Sequence, residues 1–244
     1  MEKNLSITVI FPMAGRGARF GYQFKPFLEI RDKKFIQRAV ESFTQNFNDI
    51  KEVIFIFLKE QEEQFKVTKT LKEMFPSIKH RSVILDKPTA SHAETVRKGI
   101  IQGRIFGNII LCDCDHYLDT APLFYYLRKS TAKDSCVIPL WKIQENEVAS
   151  WAIVSVDKEM KALSIAEKKF PEKKGEYYGI IGCYYFNNAH DVVTGDKPSI
   201  SDAIKLLLEK NELVRGVQIH KAEFFGDPAR LQKTLGEREE HNKL

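Results

Sequence analysis

Ser6-Ile-Thr-Val-Ile-Phe-Pro-Met-Ala-Gly-Arg-Gly-Ala-Arg-Phe-Gly-Tyr-Gln-Phe-Lys-Pro26 is the stretch from which the rest of the chain can be read. Its first part, Ser6 to Phe11, is short, apolar and β-branched, which predicts a strand stopped at Pro12. From Pro12 to Leu28 the seventeen residues carry three cations, Arg16, Arg19 and Lys25, and no acid. Gly15, Gly17 and Gly21 permit positive φ and a close approach of backbone to ligand. Successive N–H groups in such a loop form an anion-binding concavity, and the cations balance the charge of the guest. Met13, Ala14, Gly15, Arg16 and Gly17 are therefore the candidate nucleotide-binding loop, with a triphosphate as guest. Other glycine loops fit worse. A Walker A loop needs Gly-Lys-Ser/Thr, which is absent here. The dinucleotide fingerprint needs a third glycine where Phe20 stands and an immediate helix, whereas Lys25-Pro26 keeps the chain extended.

Outward from the loop, the pattern alternates. Lys34 to Phe47 places Phe35, Ile36, Ala39, Val40, Phe43 and Phe47 on one helical face. Val53 to Leu58 is apolar throughout, as a strand buried on both faces of a parallel sheet should be. A polar helix from about Glu60 to Phe75 is stopped by Pro76, and His80 to Leu85 is the next strand. Ser91-His-Ala-Glu94 has the capping pattern of a helix that runs to about Gln102. A strand over Asn108 to Cys112, a helix over Ala121 to Lys129 and a strand over Ser135 to Leu140 complete the first half. Strand–helix alternation predicts an α/β fold, a parallel sheet with helices on both faces. The second half is richer in strands: Trp151 to Val156, Ala162 to Ala166, Tyr178 to Phe186 and Gly216 to His220. Helices are expected over Ser199 to Leu208 and Asp227 to Leu235, then a polar, frayed tail from Gly236. No linker separates two domains.

The 244 residues are 43% apolar and 29% charged, with a net charge of +5. That composition excludes wholesale disorder and collagen-like repeats. Three of the cations sit in the acid-free loop, and without them the chain is close to neutral. The excess is thus local, and nucleic acid is not an expected partner. Met1 to Ser6 lacks the basic head and apolar run of a leader, and no apolar run approaches the roughly 20 residues of a membrane span. No membrane partner is expected, the cytoplasm is the expected setting, and Cys112, Cys114, Cys136 and Cys183 read as reduced core residues.

Leu111-Cys-Asp-Cys-Asp-His-Tyr-Leu118 ends a buried strand in acids. Strand alternation puts Asp113 and Asp115 on one side and Cys112 and Cys114 on the other. Carboxylates at the carboxyl end of a parallel strand sit where open α/β sheets bind ligands. Hard oxygen ligands suit Mg²⁺, the expected cofactor, which commonly uses one or two carboxylates plus substrate phosphates. Cys112, Cys114 and His116 are too few and too closely spaced for a tetrahedral zinc site. Asp113 has a second reading, as a hydrogen-bonding partner of the loop. Asp86 to Gly99 reads as a capped helix start and, lying at the same sheet edge, as a base pocket with Ala90, Ser91 and Thr95 as contacts. The histidines show no metal spacing and no nucleophile partner.

Together these residues resemble the nucleotidyltransferases, the family of sugar-nucleotide pyrophosphorylases and small-molecule cytidylyltransferases. Gly15, Gly17 and Arg19 match the glycine–arginine part of the family signature, and Lys25-Pro26 its Lys-Pro, with a shorter spacer after Phe20. The resemblance implies a single Rossmann-like, GT-A-like domain over 1–236, with a nucleotide-binding half (1–140), an acceptor-binding half (141–236) and a tail at 237–244. It also implies a mostly parallel mixed sheet. Arg19 would bind the triphosphate, Lys25 the attacking phosphate and Asp115 the metal. Thr95-Val96 echoes the Ser-Val of some cytidylyltransferases and favours a pyrimidine. Ala166-Glu-Lys-Lys-Phe-Pro171 resembles the family's Glu-Lys-Pro step, making Glu167 and Lys168 acceptor-binding, with Lys168 also catalytic through the acceptor's phosphate. Gly182 opens the strand that follows. Phe225-Gly-Asp-Pro-Ala-Arg-Leu231 resembles the terminal turn, where Asp227 is either a second metal ligand or a helix cap.

The implied reaction passes a nucleoside monophosphate from a triphosphate to a phosphorylated small molecule. A sugar phosphate is the first expectation, for nucleotide-sugar and polysaccharide biosynthesis, and a non-sugar phosphate is the alternative. Homo-oligomerisation is left open. A metal-dependent glycosyltransferase is the rival enzyme, but it does not need Arg19 and Lys25 on a glycine loop; a nucleotide sensor would bind without turnover.

Overall fold

The computed structural model describes residues 5–131, 133–194 and 199–241. Residues 1–4 and the end of the tail (242–244) lie outside the described residues. In chain order the elements are β1 (Ile7–Pro12), the hairpin β2 (Glu29–Ile30) and β3 (Lys33–Lys34), α1 (Phe35–Glu41), β4 (Ile50–Leu58), α2 (Lys59–Phe65), α3 (Val67–Met74) and β5 (His80–Leu85). Then come α4 (His92–Gly103), β6 (Ile109–Cys112), β7 (His116–Leu118), α5 (Ala121–Lys129) and β8 (Cys136–Trp141). The second half contributes β9 (Ala152–Val156), β10 (Ala162–Glu167), β11 (Glu176–Ile180), β12 (Cys183–Phe186), α6 (His190–Val193), α7 (Ile200–Glu209), β13 (Val214–Gln218), β14 (Ala222–Phe224) and α8 (Pro228–His241).

Ten strands form one sheet in the order β10-β9-β11-β8-β12-β6-β1-β4-β5, with β13 paired to β8. β5, β4, β1 and β6 run parallel, as does β13 beside β8. β12 enters antiparallel between β6 and β8, so a strand of the second half closes the middle of the sheet. Alternation along the central strands feeds two cores. Val53, Phe55 and Phe57 of β4 pack with α1, α3 and α5 on one face. Ile54, Ile56 and Leu58 pack with α4, α6 and α7 on the other. Helix α4 lies so close that a Cβ at Gly99 would come within 2.2 Å of the Ile56 side chain, which explains a glycine inside a helix.

Several boundaries differ from expectation for identifiable reasons. The helix expected over Glu60 to Phe75 is broken at Lys66, whose φ of 50° caps α2 and starts α3. The helix expected to reach Phe47 ends at Glu41 and passes into 3₁₀ turns over Thr44–Asp49. The strand expected over Tyr178 to Phe186 is two strands, because Gly182 at φ +71° turns the chain out of β11 and into β12. Helix α8 continues past Leu235 to His241, where a frayed tail from Gly236 is expected. The short pair β7–β14 was not predicted. It fixes the site, since its register continues into a hydrogen bond from the Phe225 N–H to the Asp115 carbonyl (3.0 Å).

Candidate active site

The carboxyl ends of β1, β5 and β6 open onto one edge of the sheet, where α/β folds receive ligands. A cleft of about 760 Å³ there is lined by the loop from Pro12 to Phe20, by Lys25, by Pro88, Thr89, Ser91, His92 and Thr95, and by Asp113, Asp115 and Gly226. A second cavity of about 250 Å³ adjoins it and shares Arg19, Asp113, Asp115 and Gly226. Glu167, Gly182, Tyr184, Asp227 and Arg230 line this smaller one. The two cavities thus meet at an acidic junction.

The glycine loop is built as an anion cradle. Gly17 has φ +65°, and a Cβ there would lie 2.0 Å from the Gln23 carbonyl oxygen, so the turn admits only glycine. The Gly17 carbonyl accepts from the N–H groups of Phe20 and Tyr22. Gln61, buried beneath, donates to the Gly15 carbonyl (3.2 Å) and holds the loop from behind. Among the described residues the amides of 15–19 have no hydrogen-bond partner, and neither Arg16 nor Arg19 has a carboxylate partner. Met13 differs: its amide donates to Ile56 (2.6 Å) and its side chain is core. It therefore anchors the loop to β4, and it lines the cleft only as apolar wall.

At the junction, Asp113 and Asp115 lie just past β6, not within it. Both carboxylates reach the same side, while Cys112 and Cys114 enter the core. Lys25 Nζ forms an ion pair with Asp115 Oδ2 and also approaches the Gly226 carbonyl (3.4 Å). His116 Nδ1 lies 3.7 Å from Asp115 Oδ1, and its Nε2 is 3.4 Å from Cys112 Sγ. Burial disfavours the ionised form of Asp115, but His116 and the Lys25 charge outweigh it and hold the carboxyl well below its usual range. Burial likewise works against the charged Lys25, and Asp115 with its acidic neighbours holds the ammonium above its ordinary pKa. Burial pushes the Cys114 thiol up to about 12, so it stays protonated at neutral pH.

His92, the first residue of α4, places Nε2 3.0 Å from Asp113 Oδ1. Desolvation in the cleft lowers its pKa and the Asp113 carboxylate raises it by more, so the imidazole titrates above its usual value. Two glycines press on the acids from the other side. A Cβ at Gly182 would sit 2.3 Å from Asp113 Oδ2, and one at Gly226 2.6 Å from Asp115 Oδ2. The Gly182 carbonyl also accepts from the Asp113 N–H (2.9 Å).

Not every expected residue reaches the site as proposed. Ala90 does not line the cleft; its amide donates to the Glu94 carboxylate, and Pro88 and Thr89 take its place. Ser91 caps α4 by accepting from the Glu94 N–H (3.1 Å). The Thr95 hydroxyl is engaged with Thr89 and the Ser91 carbonyl. Lys168, at φ 56°, donates its amide to Trp151 (2.9 Å), is exposed, and lines neither cavity. Asp227 accepts from the Arg230 N–H (2.9 Å), capping α8 above Pro228, and its other oxygen faces Arg230 Nε at 3.5 Å. The helix-cap reading of Asp227 is the one observed; it is not among the converging metal-ligand atoms, which belong to Asp113, Asp115 and His116 and lie within 4.8 Å of one another. Sequence reading missed His92, Gly226 and Arg230, and weighed His116 only as a zinc ligand. Only the first had a local signal, its place directly after the cap of a sheet-edge helix.

No protein-family model and no curated protein matches the chain. Solved structures do. The nucleoside-diphosphate-sugar pyrophosphorylase from Vibrio cholerae RC9 superposes with a TM-score of 0.74 at 18% identity, over 93% of this chain and 99% of that one. The inositol-1-phosphate CTP transferase from T. maritima gives 0.73 at 12% identity, over 97% and 98%. The UTP-bound UGPase from Acinetobacter baumannii gives 0.71 at 16%, over 95% and 93%. The chain therefore has the Rossmann-like α/β fold of the nucleotidyltransferases, and it has that fold over almost its whole length.

Proposed function

We propose that the chain is a nucleotidyltransferase that passes a nucleoside monophosphate from a triphosphate to a phosphorylated small molecule. The observation that carries this is the junction: two cavities, one floored by the unpartnered amides of the glycine loop, share Arg19, Asp113 and Asp115. A non-bridging oxygen of the acceptor's phosphate dianion attacks the α-phosphorus of the triphosphate. The new O–Pα bond forms as the bond from Pα to the bridging oxygen breaks, and pyrophosphate leaves with that electron pair. No side-chain nucleophile and no proton transfer is needed, so holding the two phosphates in line supplies much of the catalysis. Arg19 and Lys25 offset charge as it moves onto the leaving group. Asp115 keeps Lys25 in place, and His116 keeps Asp115 ionised.

Asp113 and Asp115 are hard oxygen donors converging on one point, a set that fits Mg²⁺. When bound there, the ion would neutralise phosphate charge. In this reading Asp115 is a ligand of the ion, with Asp113 in place of Asp227. A pyrimidine triphosphate (CTP or UTP/dTTP) is the preferred donor and a sugar phosphate the preferred acceptor. Support comes from the names of the neighbours: a UTP-bound UGPase and an inositol-1-phosphate CTP transferase for the pyrimidine, and a nucleoside-diphosphate-sugar pyrophosphorylase for the sugar.

The test combines the protein and Mg²⁺ with each common triphosphate and a panel of sugar, alcohol and amine phosphates. Pyrophosphate release that requires both partners is expected. No release with any acceptor, together with no triphosphate binding, overturns the reading; consumption of a nucleotide-sugar without pyrophosphate release replaces it with a glycosyltransferase.

A further inference from the structure

The smaller cavity has an uneven distribution of charge. Asp113, Asp115, Glu167 and Asp227 are its acids, and Arg19 and Arg230 its arginines. Arg19 also faces the nucleotide cleft. Lys168, the cation expected to hold the acceptor, lines neither. An anionic acceptor entering this space meets four carboxylates and two arginines, of which Arg230 alone belongs to this cavity and not to the larger cleft.

Arg230 is held ready for such a guest. Its guanidinium carbon lies 4.4 Å from the centroid of the Trp151 ring and 5.9 Å from that of Phe224. Nη2 donates to the Ser150 carbonyl (3.2 Å), and Nε lies 3.5 Å from Asp227 Oδ2. Stacking and two edge contacts fix the plane, so little side-chain entropy remains to be lost on binding. Nη1 has no hydrogen-bond partner among the described residues, and its N–H donors are available. A guanidinium edge with free donors matches phosphate oxygens in geometry and charge.

We propose that Arg230 binds the phosphate of the acceptor, in the place first expected of Lys168. This rests on the nucleotidyltransferase reading above. It concerns the phosphate alone, so sugar and non-sugar phosphates are held in the same way.

Steady-state pyrophosphate release by wild type, Arg230→Ala and Arg230→Lys tests it, with triphosphate and acceptor varied in turn. The acceptor KM is expected to rise about tenfold or more in Arg230→Ala, the loss of one charge-assisted contact. A smaller rise is expected in Arg230→Lys, because an ammonium keeps the charge without the fork. The triphosphate KM stays near the wild-type value in both, and sugar and non-sugar phosphates show the same change. If Arg230→Ala does not fold, Arg230→Lys decides. An unchanged acceptor KM, or an equal rise in both KM values, overturns the role of Arg230 while leaving the functional reading intact. A wild type that neither releases pyrophosphate with any acceptor nor binds triphosphate overturns the functional reading, and this inference with it.

Discussion

Lys25 sits at the point where the two cavities join, and nearly everything it touches is an acid or a carbonyl. Its ammonium is the group best placed to follow charge between two phosphates. Lys25→Ala should lower turnover by more than about tenfold, while far-UV circular dichroism shows a folded chain; near-normal turnover removes it from the mechanism. The pair with Asp115 also predicts how stability depends on pH. Asp115 has a folded pKa below its unfolded value of 3.8. Its contribution is full above about pH 4 and is lost as pH falls through the folded value. Lys25 has a folded pKa above its unfolded value of 10.5. Its contribution is full below about pH 10 and is lost as pH rises through the folded value. Thermal unfolding of metal-free wild type and a Lys25→Met/Asp115→Asn variant should therefore differ by a constant amount across the neutral range. The wild type loses ground at both extremes. A difference that does not change with pH would contradict the pairing.

At the scale of elements, the junction of α2 and α3 carries a testable strain. Lys66 is exposed and left-handed, and it keeps the hydrogen bonds on both sides, accepting from Thr70 and donating to Glu62. Lys66→Gly relieves the Cβ and should stabilise by roughly 0.5–1 kcal/mol. Differential scanning calorimetry should show a rise of about 1–4 °C, and Lys66→Ala should show none. The same junction marks what a linear reading can reach. Glu60 to Phe75 looks like one helix because nothing in Lys66 itself signals a left-handed residue. Tyr178 to Phe186 looks like one strand because its apolar run hides the turn at Gly182. Strands β7 and β14 are too short to show a period, and their pairing is set by residues far apart in the chain. By contrast the elements with long apolar periods, β1, β4, α4 and α5, fall close to where the sequence puts them. The site divides the same way. The glycine loop and the two aspartates are contiguous and legible. Arg230 and Trp151 meet only through folding, while Lys168 stands in a legible motif but lines neither cavity.

For the molecule as a whole, β12 is the strand that makes the two halves one body. It lies between β6 and β8 and pairs with both, and Gly182 at its start buttresses Asp113. The segments 1–140 and 141–236 thus share one sheet and are not separable bodies. A fragment spanning 5–141 would leave a gap in the middle of its sheet and unpaired edges on β6 and β8. It should show no cooperative thermal transition and should aggregate, whereas the full chain melts in one step. A fragment with a sharp, reversible transition would refute this.

The placement of β12 also fixes a timetable. As the polypeptide leaves the ribosome, β6 and β8 are complete long before Cys183–Phe186 exists to bridge them. Pairings so distant in sequence form slowly, and strands waiting for a partner are open to wrong ones. The nascent chain therefore passes through an interval in which the facing edges of β6 and β8 are made but unmatched. Chaperone demand during synthesis should peak there, before the final quarter of the protein has emerged.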